Sequence, residues 1–168
     1  TEGERPLISG NILTPSAISL AATMGHDTVS VVRPPSIAVI GVGDELTPPG
    51  EPLSENSIYE SNTFGISSLV KKMGGTPRRS ELIRDSIDDL RKALDEAAGS
   101  CDAIITSGGV SMGDWDIVRQ IMEQEGDIRF WRIMMRPGGP PLFGYWKGTP
   151  LFGLPGNPVS SHVAVSYT

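Results

Sequence analysis

From Ser36 onward, short apolar runs alternate with amphipathic helical patterns, and this alternation restricts the possible folds more than any other feature of the chain. The runs Ile37–Val42 and Ala103–Thr106 are almost continuously apolar, which is typical of strands covered on both faces. Between them, Ser86–Ala98 places its apolar residues along one helical stripe. We therefore predict an α/β fold with a doubly wound, mostly parallel sheet flanked by helices.

The same patterns predict the remaining elements of this domain. Helices are predicted at Asn62–Lys72, at Asp116–Glu125 and from Asn157-Pro158 onward, and strands at Arg129–Met135, Pro141–Tyr145 and Leu151–Leu154. Lys147 and Gly148, between the last two strands, are typical of a tight hairpin turn. The sheet is therefore expected to contain one antiparallel excursion.

Residues 1–35 are interpreted as an appendage from a preceding domain. Thr14-Pro15 is typical of a helix start and Gly25 of its end, and Thr28–Val32 is predicted to be a short strand. The breaker Arg33-Pro34-Pro35 then marks a boundary, which leaves residues 36–168 for the α/β domain. The chain stops inside an apolar run, so we expect a fragment of a longer protein with its last helix truncated.

Composition excludes several classes of protein. Lys and Arg number 14 against 20 Asp and Glu, and a net charge of −6 without a basic cluster argues against nucleic-acid binding. Cys101 is the only cysteine, which excludes an internal disulfide and a CxxC metal site. Neither a signal peptide nor an apolar stretch of about 20 residues is visible, so we expect a cytoplasmic protein without membrane contacts.

Four unusual loops follow predicted strands, and ligands of open α/β sheets bind beyond the carboxyl ends of the strands. In the first loop, Asp44 and Glu45 follow two glycines, without the third glycine of a dinucleotide fingerprint. These carboxylates could hold a hydrated Mg²⁺. A solvated acidic turn is the alternative, and this loop alone slightly favours that alternative.

The second loop, residues 106–116, is rich in glycine, hydroxyls and carboxylates. Its glycines allow backbone N–H groups to approach a ligand, Ser107 and Ser111 add hydroxyls, and Asp114 and Asp116 stand where a helix begins. A glycine-rich turn with an aspartate cap is the less favoured alternative.

The third and fourth loops suggest binding of an anion. Arg136 stands beside the rigid turn 137–141 and could grip an oxyanion with two hydrogen bonds. Asn157 and Pro158 begin a helix whose free N–H groups could bind an anion, within reach of Ser160. A solvated arginine and an ordinary capped helix are the alternatives, and these loops alone do not decide between them.

Taken together, the loops resemble the molybdopterin molybdenumtransferase family, which includes the gephyrin E domain. The resemblance runs from about Pro35 to the end of the chain, and the segment ISGNILTPSAISLAATMG before it is similar to the family's lead-in. It rests on GDEL at Gly43–Leu46, IYESN at Ile58–Asn62, SGGVSMGDWD at Ser107–Asp116, RPGGP at Arg136–Pro140 and GLPGNPVS at Gly153–Ser160.

The resemblance implies a reaction in molybdenum cofactor biosynthesis. An adenylylated molybdopterin and molybdate bind, the adenylate is hydrolysed with the help of Mg²⁺ or Zn²⁺, and molybdenum joins the dithiolene sulfurs. The implied metal ligands are Asp44, Glu45 and Asp114, and Asp116 and Arg136 complete the implied catalytic set. The implied pterin, nucleotide and molybdate contacts are Asn62, Ser107, Gly108, Gly109, Val110, Ser111, Pro137, Gly138, Pro140, Pro155, Gly156, Asn157 and Ser160. A homodimer of the full-length protein is also implied.

The chain departs from the family in its third loop, which usually contains K-P-G-K-P. Arg136 replaces the first lysine and Gly139 the second, so weaker molybdate binding is expected unless another donor fills the gap. Two other functions stay open. One is that of the sister family that adenylylates the pterin, or of related nucleotide pyrophosphatases, which tend to carry GG-x-G-x-x-x-x-D. The other is a scaffold or binding module.

Overall fold

The computed structural model describes residues 5–110 and 116–167, and the chain divides into two compact units, residues 1–33 and 34–168. Within the described residues, the helices are α1 Pro15–Thr23, α2 Asn62–Lys72, α3 Ile87–Ser100, α4 Ile117–Glu125 and α5 Pro158–Tyr167. The strands are β1 Ser36–Gly41, β2 Leu46–Thr47, β3 Ile58–Tyr59, β4 Thr76–Arg79, β5 Ala103–Ser107, β6 Asp127–Trp131, β7 Leu142–Trp146 and β8 Thr149–Leu154.

The second unit contains a six-stranded sheet with the order β4-β1-β5-β8-β7-β6. The four strands β4, β1, β5 and β8, which are neighbours in that order, run parallel to one another. Strand β7 runs antiparallel to both β8 and β6. A separate parallel pair joins β2 to β3. The predicted fold class, with its single antiparallel excursion, is confirmed.

Helices cover both faces of this sheet. Since successive residues of a strand point to opposite faces, each central strand contributes to a buried cluster on either side. From β1, Ala38 and Ile40 belong to a buried cluster with Leu90 and Leu94 of α3 and with residues of α4. Val39, between them, belongs to the opposite cluster with residues of α2 and α5. The apolar continuity of the predicted strands therefore reflects burial on two sides.

Two predicted strands need correction. None of the residues in Thr28–Val32 pairs with another strand in the described part of the chain, so the predicted strand there is wrong, and Val32 is 94% exposed. The strand predicted at Arg129–Met135 is observed at Asp127–Trp131. Arg132 follows it with a φ of 74°, a left-handed conformation that interrupts an extended strand.

The β7–β8 hairpin is fastened to α3 by one carboxylate. Asp95 accepts a hydrogen bond from Nε1 of the buried Trp146 at 2.8 Å. It also forms an ion pair with Nζ of Lys147 at 2.7 Å. The hydrogen bond from Lys147, followed by that from Trp146, lowers the pKa of Asp95.

Within the described residues, no helix is long and apolar enough to cross a bilayer.

We expect Gly144→Ala in β7 to destabilise the domain by about 1–3 kcal/mol. An added Cβ would lie 2.5 Å from the backbone oxygen of Asp127, so β6 and β7 would have to move apart. Gly99→Ala in α3 is the matched control, because a Cβ there meets no atom within 4 Å. Urea unfolding followed by tryptophan fluorescence gives both stabilities, and equal values for the two variants would contradict this packing.

Candidate functional site

Three neighbouring parallel strands end at the same edge of the sheet. The amide of Val42, just after β1, donates to the carbonyl oxygen of Ser107 at 3.0 Å. The amide of Gly108, just after β5, donates to the carbonyl oxygen of Leu154 at 3.0 Å. The first, second and fourth predicted loops therefore leave this edge side by side, although they are far apart in the sequence.

Glycine is required where these loops meet. Gly108 has a φ of 95°, and a Cβ at this position would lie 2.2 Å from the carbonyl oxygen of Val42. A Cβ at Gly156 would lie 3.7 Å from the Cα of Gly108, so the backbones of the second and fourth loops run close together. This close approach brings the predicted ligand contacts Ser107, Gly108 and Gly156 into one place.

The side chain of Asn62 joins the second and fourth loops to the start of α2. Its Nδ2 group donates to Ser107 Oγ at 2.8 Å and to the carbonyl oxygen of Gly156 at 2.7 Å. Because Ser107 Oγ accepts this bond, its own proton stays free for another acceptor. Asn62, Ser107, Gly108, Gly156 and Glu45 line a small cavity of about 50 Å³, which we name the cradle.

A buried carboxylate fixes the helix that carries Asn62. Glu60 is 4% exposed, and its two carboxylate oxygens accept hydrogen bonds from the amide and the hydroxyl of Thr63, each at 2.7 Å. Ser61, at the N-cap position, makes no side-chain hydrogen bond to the helix. Glu60 therefore supplies the capping acceptor of α2 and keeps Asn62 in place.

The first loop is joined to Asp85, an aspartate outside all the sequence motifs. Asp44 Oδ1 accepts a hydrogen bond from the amide of Asp85 at 3.1 Å, and a Cβ at Gly43 would lie 2.6 Å from Oε2 of Glu45. Burial raises the pKa of Asp85, and the negative charges of Asp44, Glu45 and Asp116 raise it further. Three carboxylates therefore lie within electrostatic reach of Asp85, and one of them, Glu45, lines the cradle.

These carboxylates do not by themselves form a metal centre. Within residues 5–110 and 116–167, no three His, Cys, Asp or Glu side chains converge so as to hold a metal ion. The predicted ligand Asp114 lies outside the described residues, as does the predicted pterin contact Ser111. The described part of the chain therefore supplies two of the three predicted metal ligands, Asp44 and Glu45.

Two predicted contacts of the second loop, Gly109 and Val110, pack against the protein core. Val110 is fully buried and belongs to the cluster with α3 and α4, and a Cβ at Gly153 would lie 2.7 Å from its Cγ1. A Cβ at Gly109 would lie 2.8 Å from Cγ2 of Val118 in α4. At both positions only the backbone can face a ligand, so these residues shape the loop by packing.

The third loop packs on the first turn of α5. Gly138 has a φ of 101°, and a Cβ there would lie 3.3 Å from the carbonyl oxygen of Ser160. Arg136 and Pro137 are exposed and joined by a cis peptide bond, and Pro140 is half-buried. The structure thus places Gly138 of the third loop against the backbone of Ser160, and the oxyanion site stays a prediction.

The start of α5 is already capped from within. Asn157 Oδ1 accepts hydrogen bonds from the amides of Val159 at 3.0 Å and Ser160 at 3.4 Å. The hydroxyl of the buried Ser161 donates to the carbonyl oxygen of Pro155. Since Asn157 occupies two of the first amides, an anion at this helix start would depend mainly on side-chain donors.

Gly139, which replaces a lysine of the resembling family, lies where a side chain would collide with backbone. Its carbonyl oxygen accepts a hydrogen bond from the amide of Ile133 at 2.9 Å. A Cβ at Gly139 would lie 2.8 Å from the carbonyl oxygen of Met135. A lysine therefore fits here only if this loop changes its backbone.

Comparisons with known proteins agree with these motifs. A family described as a probable molybdopterin binding domain matches residues 38–167. Molybdopterin molybdenumtransferase of Haemophilus influenzae is 36% identical over 162 residues, which are 96% of this chain and 40% of that protein. The enzyme of the same name from Bacillus subtilis is 36% identical over 96% of this chain and 38% of its own length. The chain thus spans about 40% of the length of these relatives.

Solved structures show the same fold. The molybdopterin biosynthesis moea protein from Pyrococcus horikosii has a TM-score of 0.77 and 32% identity, over 89% of this chain and 37% of that chain. The tungsten cofactor synthesizing protein MoaB from Pyrococcus furiosus has a TM-score of 0.62 and 18% identity, over 82% of this chain and 91% of that chain. At that identity the second likeness concerns the fold alone.

We expect Asn62→Asp to destabilise the domain by about 1–3 kcal/mol at neutral pH, because two hydrogen bonds depend on the amide. An introduced carboxylate would face the carbonyl oxygen of Gly156, so folding would raise its pKa above the unfolded value of about 3.9. Stability should then be retained below that value and lost as the pH rises through the folded-state pKa.

Urea midpoints at about pH 4 and about pH 7 test this expectation. Asn56→Asp, in an exposed loop position before β3, is the matched control and should show no such pH-dependent loss. A loss for Asn62→Asp that is the same at both pH values would show that the amide does not hold these loops.

Proposed function

The chain belongs to the family of probable molybdopterin binding domains, and on that premise we propose that it is the catalytic α/β domain of a molybdopterin molybdenumtransferase. The proposed activity belongs to molybdenum cofactor biosynthesis: hydrolysis of an adenylylated molybdopterin, coupled to insertion of molybdate. The cytoplasmic location and the homodimer of the full-length protein are parts of the same proposal.

The observation that carries the proposal is the junction of the cradle with the carboxylates. Glu45 lines the cradle together with Ser107 and Gly108, and Asp44 is hydrogen-bonded to Asp85 on the same side. Phosphate chemistry needs donors for the oxygens and groups that handle protons and charge next to them. Both kinds of group meet at this edge of the sheet.

In the proposed hydrolysis, different residues of the chain bind the ligand's oxygens, accept the proton from water and hold molybdate. The free proton of Ser107 Oγ and the backbone amides that follow Gly108 donate to the ligand's oxygens. Water attacks the adenylyl phosphorus and transfers a proton to Asp85. The bond from that phosphorus to the bridging oxygen breaks, which leaves AMP and the pterin phosphate. Arg136, in the loop whose Gly138 packs against Ser160, holds the molybdate oxyanion.

A metal ion remains part of the proposal, although the described carboxylates do not form a complete site for it. Mg²⁺ or Zn²⁺ would neutralise phosphate charge when bound, with Asp44, Glu45 and Asp114 as the proposed ligands. An adenylyltransferase of the same fold is the alternative enzyme. Incubation with molybdopterin and MgATP separates the two, because formation of the adenylate would support the alternative.

We expect the full-length protein to release AMP from adenylylated molybdopterin in single-turnover reactions, faster with molybdate and metal than without either. Asp85→Asn should slow this release by about 100-fold or more, since it removes the proposed base. It should not lower stability at neutral pH, because partial burial and the nearby charges of Asp44, Glu45 and Asp116 raise the pKa of Asp85 and disfavour its charged form.

Asp88→Asn is the matched control for this experiment, because Asp88 is an exposed aspartate in the first turn of α3 that pairs with Arg91. It should leave the rate of release unchanged. Asp114→Asn enters the same assay as the test of the third proposed ligand. Release that responds neither to molybdate nor to Asp85→Asn would contradict the proposed reaction.

We expect Arg136→Ala to weaken molybdate binding about tenfold or more, because the loop retains one cation where the resembling family has two. Gly139→Lys is unsuited to this question, since its Cβ would collide with the Met135 carbonyl. Arg129→Ala is the control, because Arg129 pairs with Asp127 on the surface of β6. Titration calorimetry with molybdate measures the affinities, and unchanged binding by Arg136→Ala would remove this loop from the mechanism.

A further inference from the structure

A further cation lies beside the third loop, outside the motif that this loop belongs to. Arg132 directly follows β6, and its amide donates to the carbonyl oxygen of Pro141 at 2.9 Å. The next amide, that of Ile133, donates to the carbonyl oxygen of Gly139 at 2.9 Å. These two bonds tie the start of the loop to its end. Arg132 therefore lies close to Gly139, the position at which the resembling family has its second lysine.

Arg132 and Gly139 line the same cavity. Its volume is about 400 Å³, and its lining residues are Arg132, Ile133, Met134, Gly139 and Pro140. Among these residues only Arg132 is charged, and Pro140 is one of the contacts implied for the ligand. Since the other walls are apolar side chains or backbone, water screens the charge of the guanidinium less than it would on a polar surface. The cavity therefore favours an anion that also contacts the third loop.

The guanidinium of Arg132 is supported by an aromatic ring and is not neutralised by a carboxylate. Within the described residues it forms no ion pair, and its Cζ lies 4.7 Å from the centroid of the Trp131 ring. Trp131 packs against the core cluster of α3 and α4, so the ring is a fixed support. Arg119 contacts the same ring at 3.9 Å, but it is paired with Glu123 at 2.7 Å. Arg132 is therefore the arginine at this ring that is suited to bind an anion.

The backbone of Arg132 is as unusual as its surroundings. Its φ of 74° is a left-handed conformation, which is uncommon for residues other than glycine, asparagine and aspartate. Such a conformation persists only where surrounding contacts fix it, and here the amides of Arg132 and Ile133 are both bonded across the loop. Conformations of this kind cluster at binding sites, which supports a function for the side chain.

The third loop needs a second positive charge for its proposed ligand. Molybdate is a dianion at neutral pH, and a bound charge that lacks a partner is costly. The family's lysine does not fit at position 139 in this backbone, because a Cβ there would lie 2.8 Å from the carbonyl oxygen of Met135. Arg132 reaches the same part of the loop from the other end and needs no such change.

We propose that Arg132 is the second cation of the molybdate site and takes the place of the lysine that the family has at position 139. Its guanidinium donates to the oxyanion from the cavity, while Arg136 donates from within the motif. The inference rests on the proposed function and deepens it. Because an arginine binds any tetrahedral oxyanion, the phosphate of the pterin is the rival ligand.

The test is titration calorimetry of the full-length protein with molybdate alone. Arg132→Gln should weaken binding about tenfold or more, because it removes a charged hydrogen-bond donor. Arg132→Lys keeps the charge and should retain most of the affinity. Arg132→Gly suits a φ of 74°, so this variant should fold and still lose affinity as Arg132→Gln does. Thermal melting confirms that each variant is folded.

Two controls remove an equal charge nearby. Arg119→Gln removes an arginine from the same Trp131 ring without changing the lining of the cavity. Arg129→Gln removes an arginine of β6 that pairs with Asp127. Both variants should bind molybdate as the wild type does. A loss as large as that of Arg132→Gln in either control would overturn the inference, because it would show an effect of overall charge.

Inorganic phosphate, titrated in the same way, separates the two possible ligands. If Arg132→Gln weakens phosphate binding and leaves molybdate binding unchanged, Arg132 holds the pterin phosphate and the inference is wrong. Unchanged molybdate affinity in both Arg132→Gln and Arg132→Gly would also overturn it, as would a wild-type protein that binds no molybdate.

Failure of this inference is distinguishable from failure of the proposed function. If release of AMP depends on molybdate while the Arg132 variants bind molybdate normally, the function stands and the role of Arg132 falls. If the Arg132 variants lose molybdate affinity but no adenylylated pterin is hydrolysed by the wild type, the role of Arg132 stands and the function falls.

Discussion

The amide of Val42 donates to the carbonyl oxygen of Ser107, and this bond extends the β1–β5 ladder one residue past the end of β1. The bond from Gly108 to Leu154 does the same between β5 and β8. Because of these two bonds, β1, β5 and β8 end at the same edge of the sheet, so the loops that follow them begin next to one another. Asn62 can then bind two of these loops with one amide group, and Glu45 can line the same cradle.

How far the sequence predicts the fold depends on where each strand lies in the sheet. Strands β1, β5 and β8 are covered on both faces and need successive apolar residues, so their patterns are distinctive. Strand β4 contains Pro77, Arg78 and Arg79, which an edge strand tolerates and a central one does not. The sequence pattern does not predict this strand. It therefore gives no reason to expect Asp85 at the carboxyl edge of the sheet, where Asp85 lies beside Asp44.

The candidate site was predictable in its motifs and not in its contacts. Glycine at position 108 is recognisable as a loop residue, but only the structure shows that its missing side chain makes room for the Val42 carbonyl. Likewise Val110 lies inside a family motif, yet its side chain fills the core. A motif records both packing and chemistry, and local sequence does not separate the two.

The position of β8 has a consequence for synthesis of the protein. It is the last strand among the described residues, but it pairs with β5 on one side and β7 on the other, inside the sheet. Until the ribosome has delivered it, the edge of β5 has no partner there, and the β6–β7 hairpin has nothing to join it to the rest of the sheet. An unpaired apolar strand edge invites association with other chains. Nascent chains of this protein should therefore need protection by chaperones until β8 and α5 emerge.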